Sequence, residues 1–167
     1  LMKIKLLLFL SLFLFLSCRN DEDDAQKIDQ VINIYMHNAD GVDLLNTRIK
    51  GGYTSVSGQD LNADRALQTI SGFSVKKDKD TVAYIDYVAG ATKLLKDSIS
   101  SAEKRYQSDF YLNLSKTVDK NTVIDTDTVK IEYNWSPAVF QVSKIWYNQK
   151  LVFTKAEGQP NIIKIVK

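Results

Sequence analysis

Nucleophilic catalysis near neutral pH needs a base that titrates there, usually histidine, and this chain offers one histidine and one cysteine for such work. His37 stands at the end of an apolar run, in His37-Asn38-Ala39-Asp40-Gly41, and the turn formers around it mark a turn residue rather than a base. The single thiol, Cys18, closes an apolar N-terminal run, and its chemistry is that of the leader. Without a second thiol no intramolecular disulfide can form. The residues therefore predict a protein that is not an enzyme and carries no cofactor.

Carboxylate pairs are the next chemistry to weigh. Aligning Gly41 with the obligatory glycine of a helix-loop-helix calcium loop puts Met36 and Thr47 where carboxylates are required, so that match fails. Asp78-Lys79-Asp80-Thr81-Val82 and Asp125-Thr126-Asp127-Thr128-Val129 each set two carboxylates before a strand. That pattern can hold a hard cation, but it is common turn chemistry, and no metal is expected. Aromatic surface gathers in the C-terminal third. Trp135 alternates in phase with Val129 and Ile131 and is expected in the core, whereas Trp146 and Tyr147 are candidates for stacking on a sugar ring from an exposed face. Apart from Lys3 and Lys5 in the leader, basic and acidic residues balance at twenty each without a Lys/Arg cluster, so the footprint of a nucleic-acid partner is absent.

From Met2 the chain reads MKIKLLLFLSLFLFLSC: two lysines, an apolar stretch from Leu6 to Leu16, then Ser17 before Cys18. The stretch falls well short of the ~20 residues that span a bilayer as a helix, and its anatomy is that of a cleaved signal peptide over residues 1–17. Phe15-Leu16-Ser17-Cys18 resembles the lipobox of bacterial lipoproteins, matching at Ser17 and Cys18 and departing at Phe15, where leucine is commonest. The resemblance implies diacylglyceryl transfer to Cys18, cleavage after Ser17 and acylation of the new amino group. At ~0.8 kcal/mol per buried CH₂, several acyl chains on one residue anchor stably. The run Asp21-Glu22-Asp23-Asp24 repels itself and predicts an extended tether reaching residue 27. It also resembles the acidic export signal of surface-exposed Bacteroidetes lipoproteins, which implies an outer-membrane protein facing outward, the periplasmic face being the alternative. Asp80-Thr81-Val82, Asp97-Ser98-Ile99 and Asp127-Thr128-Val129 resemble the O-glycosylation motif of the same bacteria, which implies glycan on Thr81, Ser98 and Thr128.

The elements that would position these residues are mostly strands. Val129, Ile131, Tyr133 and Trp135 share one face against Lys130, Glu132 and Asn134, and Asp109 to Lys116 repeats the alternation. Further strands are expected at Ile28 to Met36, Thr81 to Val88, Val142 to Tyr147, Leu151 to Thr154 and Ile162 to Val166. Asn148-Gln149 reads as a hairpin turn, and Pro137 and Pro160 fall between strands. Ala63, Ala66, Leu67 and Ile70 have helical spacing between Asn62 and Gly72, which predicts a short helix; residues 92–106 fit a helix or an edge strand with a loop. About seven strands with at most one or two short helices predict an all-β sandwich of immunoglobulin or transthyretin type over residues 28–167, with a small closed barrel as the other option. The stretch from Phe110 to Val152, with DTDTVKIEYNW and SKIWYNQKLVF, resembles small β-sandwich lipoproteins of the Bacteroidetes. The functional expectation is a non-catalytic module that binds glycan or another envelope protein. A carbohydrate-active hydrolase and a purely structural envelope component are the alternatives.

Overall fold

The structure is a computed structural model describing residues 25–167, so the expected signal peptide, Cys18 and the acidic residues Asp21, Glu22, Asp23 and Asp24 lie outside the described residues. Two strands of unusual length organise the rest. β8 (Glu103–Val118) and β9 (Asn121–Trp135) pair antiparallel from Lys104↔Trp135 to Val118↔Asn121. Asp119 and Lys120 reverse the chain between them with positive φ. Because these strands outrun their neighbours, their flanks are shared. β3 (Ser55–Asp60) and β7 (Leu94–Ser100) divide the other edge of β8, and β4 (Gln68–Ile70) adds to β3. On the far side β10 (Val139–Tyr147) follows β9, and its outer edge is divided between β1 (Lys27–Asp29), which is parallel, and β11 (Lys150–Thr154). This makes an eight-stranded sheet. A four-stranded sheet covers one face of it, in the order β12 (Asn161–Val166), β2 (Ile32–His37), β6 (Ala83–Tyr87), β5 (Phe73–Lys77), with β12 parallel to β2.

The fold is therefore all-β, a two-sheet sandwich without helix among the described residues. Its core is the inward phase of each sheet: Ile32, Ile34, Met36, Ile85 and Tyr87 from the small one meet Phe110, Leu112, Leu114, Val129, Ile131 and Tyr133 from the large one. Burying each such side chain is worth roughly 1.5–3 kcal/mol. The sheets interlock through rings, for Tyr87 stacks on Phe73 at 4.5 Å and meets Phe110 across the sandwich at 5.1 Å. Gly90 lets the chain between β6 and β7 pass close to the Ser71 carbonyl, where any Cβ would collide.

Several expectations need correction. The helix around Ala63 to Ile70 does not form; Asp60 accepts the Asn62 N–H, Leu67 adopts φ 55°, and the segment ends as β4. Too short to nucleate by itself, it would need an apolar face to bury, and only Ile70 reaches the core while Ala66 and Leu67 are exposed. Residues 92–106 form the hairpin of β7 and β8. The run Ile28 to Met36 is two strands in different sheets, the chain crossing at Gln30 and Val31. Twelve strands stand where about seven were expected: one run proves to be β1 and β2, β4 was read as helix, β3 turns the weak signal Val56, Gly58 and Asp60 inward, and β5 and β7 carry almost no buried side chain to mark a phase. The Asn148-Gln149 turn is as expected, with both residues at positive φ.

Candidate binding cleft

Alternation that points Tyr106 and Tyr133 into the sandwich turns their neighbours Arg105 and Asn134 to the outer face of the large sheet. Strand register aligns Arg105 of β8 with Asn134 of β9, Asn134 with Gln141 of β10, and Gln141 with Asp29 of β1, a polar row across four strands. In the next row Glu132 stands opposite Lys144. A bulge in β10 between them turns Ser143 so that its hydroxyl donates to the Glu132 carboxylate at 3.2 Å and its carbonyl at 3.1 Å. The β7–β8 hairpin, through Ile99 and Glu103, and the loop from Thr154 to Pro160 border this floor, making a cleft of about 1080 Å³. Trp135 lies at its rim, half-buried, with the Lys104 ammonium 4.8 Å from its ring centre. That corrects the expectation of a core tryptophan. The phase is right, but Trp135 ends its strand opposite Lys104, beyond the cover of the small sheet.

The cleft is close to electrical neutrality, with five basic and four acidic side chains lining it. At one end Asp29 accepts from Lys155 Nζ at 2.7 Å and from Asn161 Nδ2 at 2.9 Å. Burial pushes the Asp29 carboxyl up, but the hydrogen bond and charge of Lys155, helped by Asn161 and Lys27, outweigh it and hold the group below the usual carboxylate range. At the other end the Arg105 guanidinium makes a long, solvent-exposed contact with Asp97 at 3.8 Å.

Trp146 and Tyr147 are neighbours in sequence and sit on opposite faces. Trp146 is half-buried on the outer face beneath the Lys130 ammonium, 4.0 Å from its ring centre. Tyr147 is buried, and its hydroxyl donates to Asp127, so it is no stacking residue. It belongs to an interior polar cluster in which Lys167 Nζ bridges Asp125 and Asp127, Tyr53 donates to Asp125 at 2.7 Å and Asn148 to Asp127 at 2.6 Å. Burial and the adjoining carboxylates push the Tyr147 phenol far up.

The remaining sequence candidates are scattered. Thr81 lies in the β5–β6 turn, Ser98 in β7 and Thr128 on the outer face of β9, all three exposed; Asp127, the acidic member of the last motif, is instead committed to the interior cluster. Asp78 Oδ1 accepts the N–H groups of Asp80 and Val82, and Asn38 Oδ1 those of Asp40 and Val42, so both strings act as turn formers. His37 ends β2, where its carbonyl accepts the Lys167 N–H.

Acid should unfold the protein through its depressed carboxylates. Asp29 and Asp60 are held low by hydrogen bonds that outweigh burial, and Asp125 by its bonds with Lys167 and Tyr53. A carboxylate with a lowered folded pKa contributes stability above its unfolded value, ~3.9, and that stability is lost as pH falls through the folded value. Urea midpoints should therefore hold steady from neutral pH to about 5 and drop below about 4. Asp125→Asn should flatten the drop; an unchanged slope would remove Asp125 from the account.

Comparison with protein-family models, with curated proteins and with solved structures yields no match.

Proposed function

We propose that this chain is a lipid-anchored outer-membrane protein, exposed at the cell surface, that binds a glycan without transforming it, and that the cleft on the large sheet is the binding site. The observation that carries the reading is the row Arg105, Asn134 and Gln141, with Glu132 beside it and Trp135 at the rim. Sugar hydroxyls donate and accept at once, and planar amide, carboxylate and guanidinium groups offer paired partners at matching spacing. A near-neutral lining fits an uncharged ligand.

The lipobox at Cys18 and the acidic run after it support the address. Assembly by strand pairing is the less favoured reading, because β7, the most exposed edge, carries register breaks at Leu95/Asp97 and Ser98/Ser100, and bulges blunt an edge against pairing. Growth with radiolabelled palmitate should label the wild-type chain and leave Cys18→Ala unlabelled.

Retention of the whole chain on an array of polysaccharide fragments tests the site. Arg105→Ala and Asn134→Ala should each weaken retention about tenfold, which corresponds to ~1.4 kcal/mol. Trp146→Ala, outside the cleft, should leave it unchanged. Loss with Trp146→Ala and none with Arg105→Ala would move the site to the other end of the sheet face.

A further inference from the structure

Lys155, Asn161 and Asp29 are set as a nucleophile, an electrophile and a proton carrier. Lys155 Nζ donates to Asn161 Oδ1 at 2.9 Å, next to the amide carbon, and to Asp29 Oδ2 at 2.7 Å. The other oxygen, Asp29 Oδ1, accepts from Asn161 Nδ2 at 2.9 Å. One carboxylate thus touches both the attacking nitrogen and the nitrogen that would leave. The amide orientation is fixed by its surroundings, since Nδ2 also donates to the Val31 carbonyl at 2.9 Å and a reversed amide would set donor against donor at Lys155. Asn161 is 3% exposed and the Lys155 side chain 9%, so the reacting pair is shielded, while the Asp29 side chain, 28% exposed, opens to the cleft.

We infer that Lys155 and Asn161 become joined by an intramolecular isopeptide bond, with Asp29 relaying the proton. Nζ is not nucleophilic as an ammonium, so it first gives a proton to Asp29 Oδ2, an uphill transfer against the ion pair that holds the Asp29 carboxyl low, which makes the reaction slow. The amine lone pair then attacks Cγ of Asn161, forming the C–N bond, and the electron pair of the carbonyl shifts to Oδ1. As the carbonyl re-forms, the Cγ–Nδ2 bond breaks. Nδ2 departs with the proton held by Asp29 and the second one shed by Nζ, leaving as ammonium and returning Asp29 to its carboxylate. No oxidant, metal or water is consumed. The remaining amide N–H keeps the Gln159 carbonyl as an acceptor, 2.6 Å from Nζ.

The bond has a structural purpose. Lys155 follows β11 in the large sheet and Asn161 opens β12 in the small one, so the link staples the two sheets at one corner of the sandwich. Loop-closure entropy is thereby removed from the unfolded chain.

Tryptic digestion of the denatured full-length chain, followed by mass spectrometry, decides the matter. The linked form gives one product spanning Leu151 to Lys164, uncut after Lys155 and lighter than the sequence by one ammonia. Lys155→Arg and Asp29→Ala should each restore separate fragments of unmodified mass. If wild-type protein yields Leu151 to Lys155 and Ala156 to Lys164 as two unmodified fragments, the bond does not form and the inference is overturned. If Asp29→Ala is still linked, Asp29 is not the proton carrier. Neither outcome bears on glycan retention, which depends on other residues of the cleft.

Discussion

Asp127→Ala should lower the unfolding free energy by about 3–5 kcal/mol, read as a large fall in the urea midpoint. The magnitude follows from what would be left behind. Asp127 is 3% exposed and accepts from Tyr147, Asn148 and Lys167 together. Its loss strands the buried Tyr147 hydroxyl, loosens the β10–β11 turn at Asn148 and leaves the Lys167 ammonium with Asp125 alone. Water cannot repair this, because the Lys167 side chain is itself only 17% exposed. Asp125→Ala should cost markedly less, since the Asp125 side chain is 38% exposed and solvent can take over part of its role. Equal effects of the two substitutions would show that the cluster responds to charge count and not to burial. Asp127→Ala costing under about 1 kcal/mol would make it a solvated surface pair in all but appearance.

The second large effect is expected at Phe110→Ala, about 3–5 kcal/mol with no change in the denaturant slope. Phe110 is completely buried and touches the rings of Tyr87 and Phe73, both from the small sheet. Truncation opens a void at the plane where the two sheets meet, and the remaining rings, held by two paired strands of the small sheet, cannot collapse into it. Val75→Ala is the control: Val75 is 48% exposed on β5, and its replacement should fall within about 0.5 kcal/mol. A changed slope for Phe110→Ala would mean that the small sheet detaches before the rest unfolds.

What was legible in the sequence is what depends on local alternation. β8 and β9 announce themselves because Phe110, Leu112 and Leu114, and Val129, Ile131 and Tyr133, each repeat at period two against polar partners. The turn at Asn148-Gln149 follows from residue chemistry alone, whereas His37, read as a turn residue, instead ends β2 and pairs with Val166. Exposure on both sides hid β5 and β7, and the absence of Gly or Pro between Asp29 and Ile32 hid the crossing between β1 and β2. Tyr147 could not be told from a surface aromatic because its partners Asp127 and Lys167 reach it through pairing and sheet packing. The cleft was least visible. Its floor draws single residues from four strands, and Asp29 finds Lys155 across 126 positions of chain. The only available sign was the polar phase itself, Lys130-Glu132-Asn134, which marks a wet face without saying what gathers on it.

Lys27, in β1, is part of the cleft lining. On the proposed lipid-anchored form, the nine residue steps from Cys18 to Lys27 can extend roughly 30 Å at most. Such a leash caps the altitude of the mouth above the bilayer, however freely the sandwich swivels. Long polymers in the medium would be caught only where they graze the membrane, and chains rooted in the same leaflet would be within constant reach.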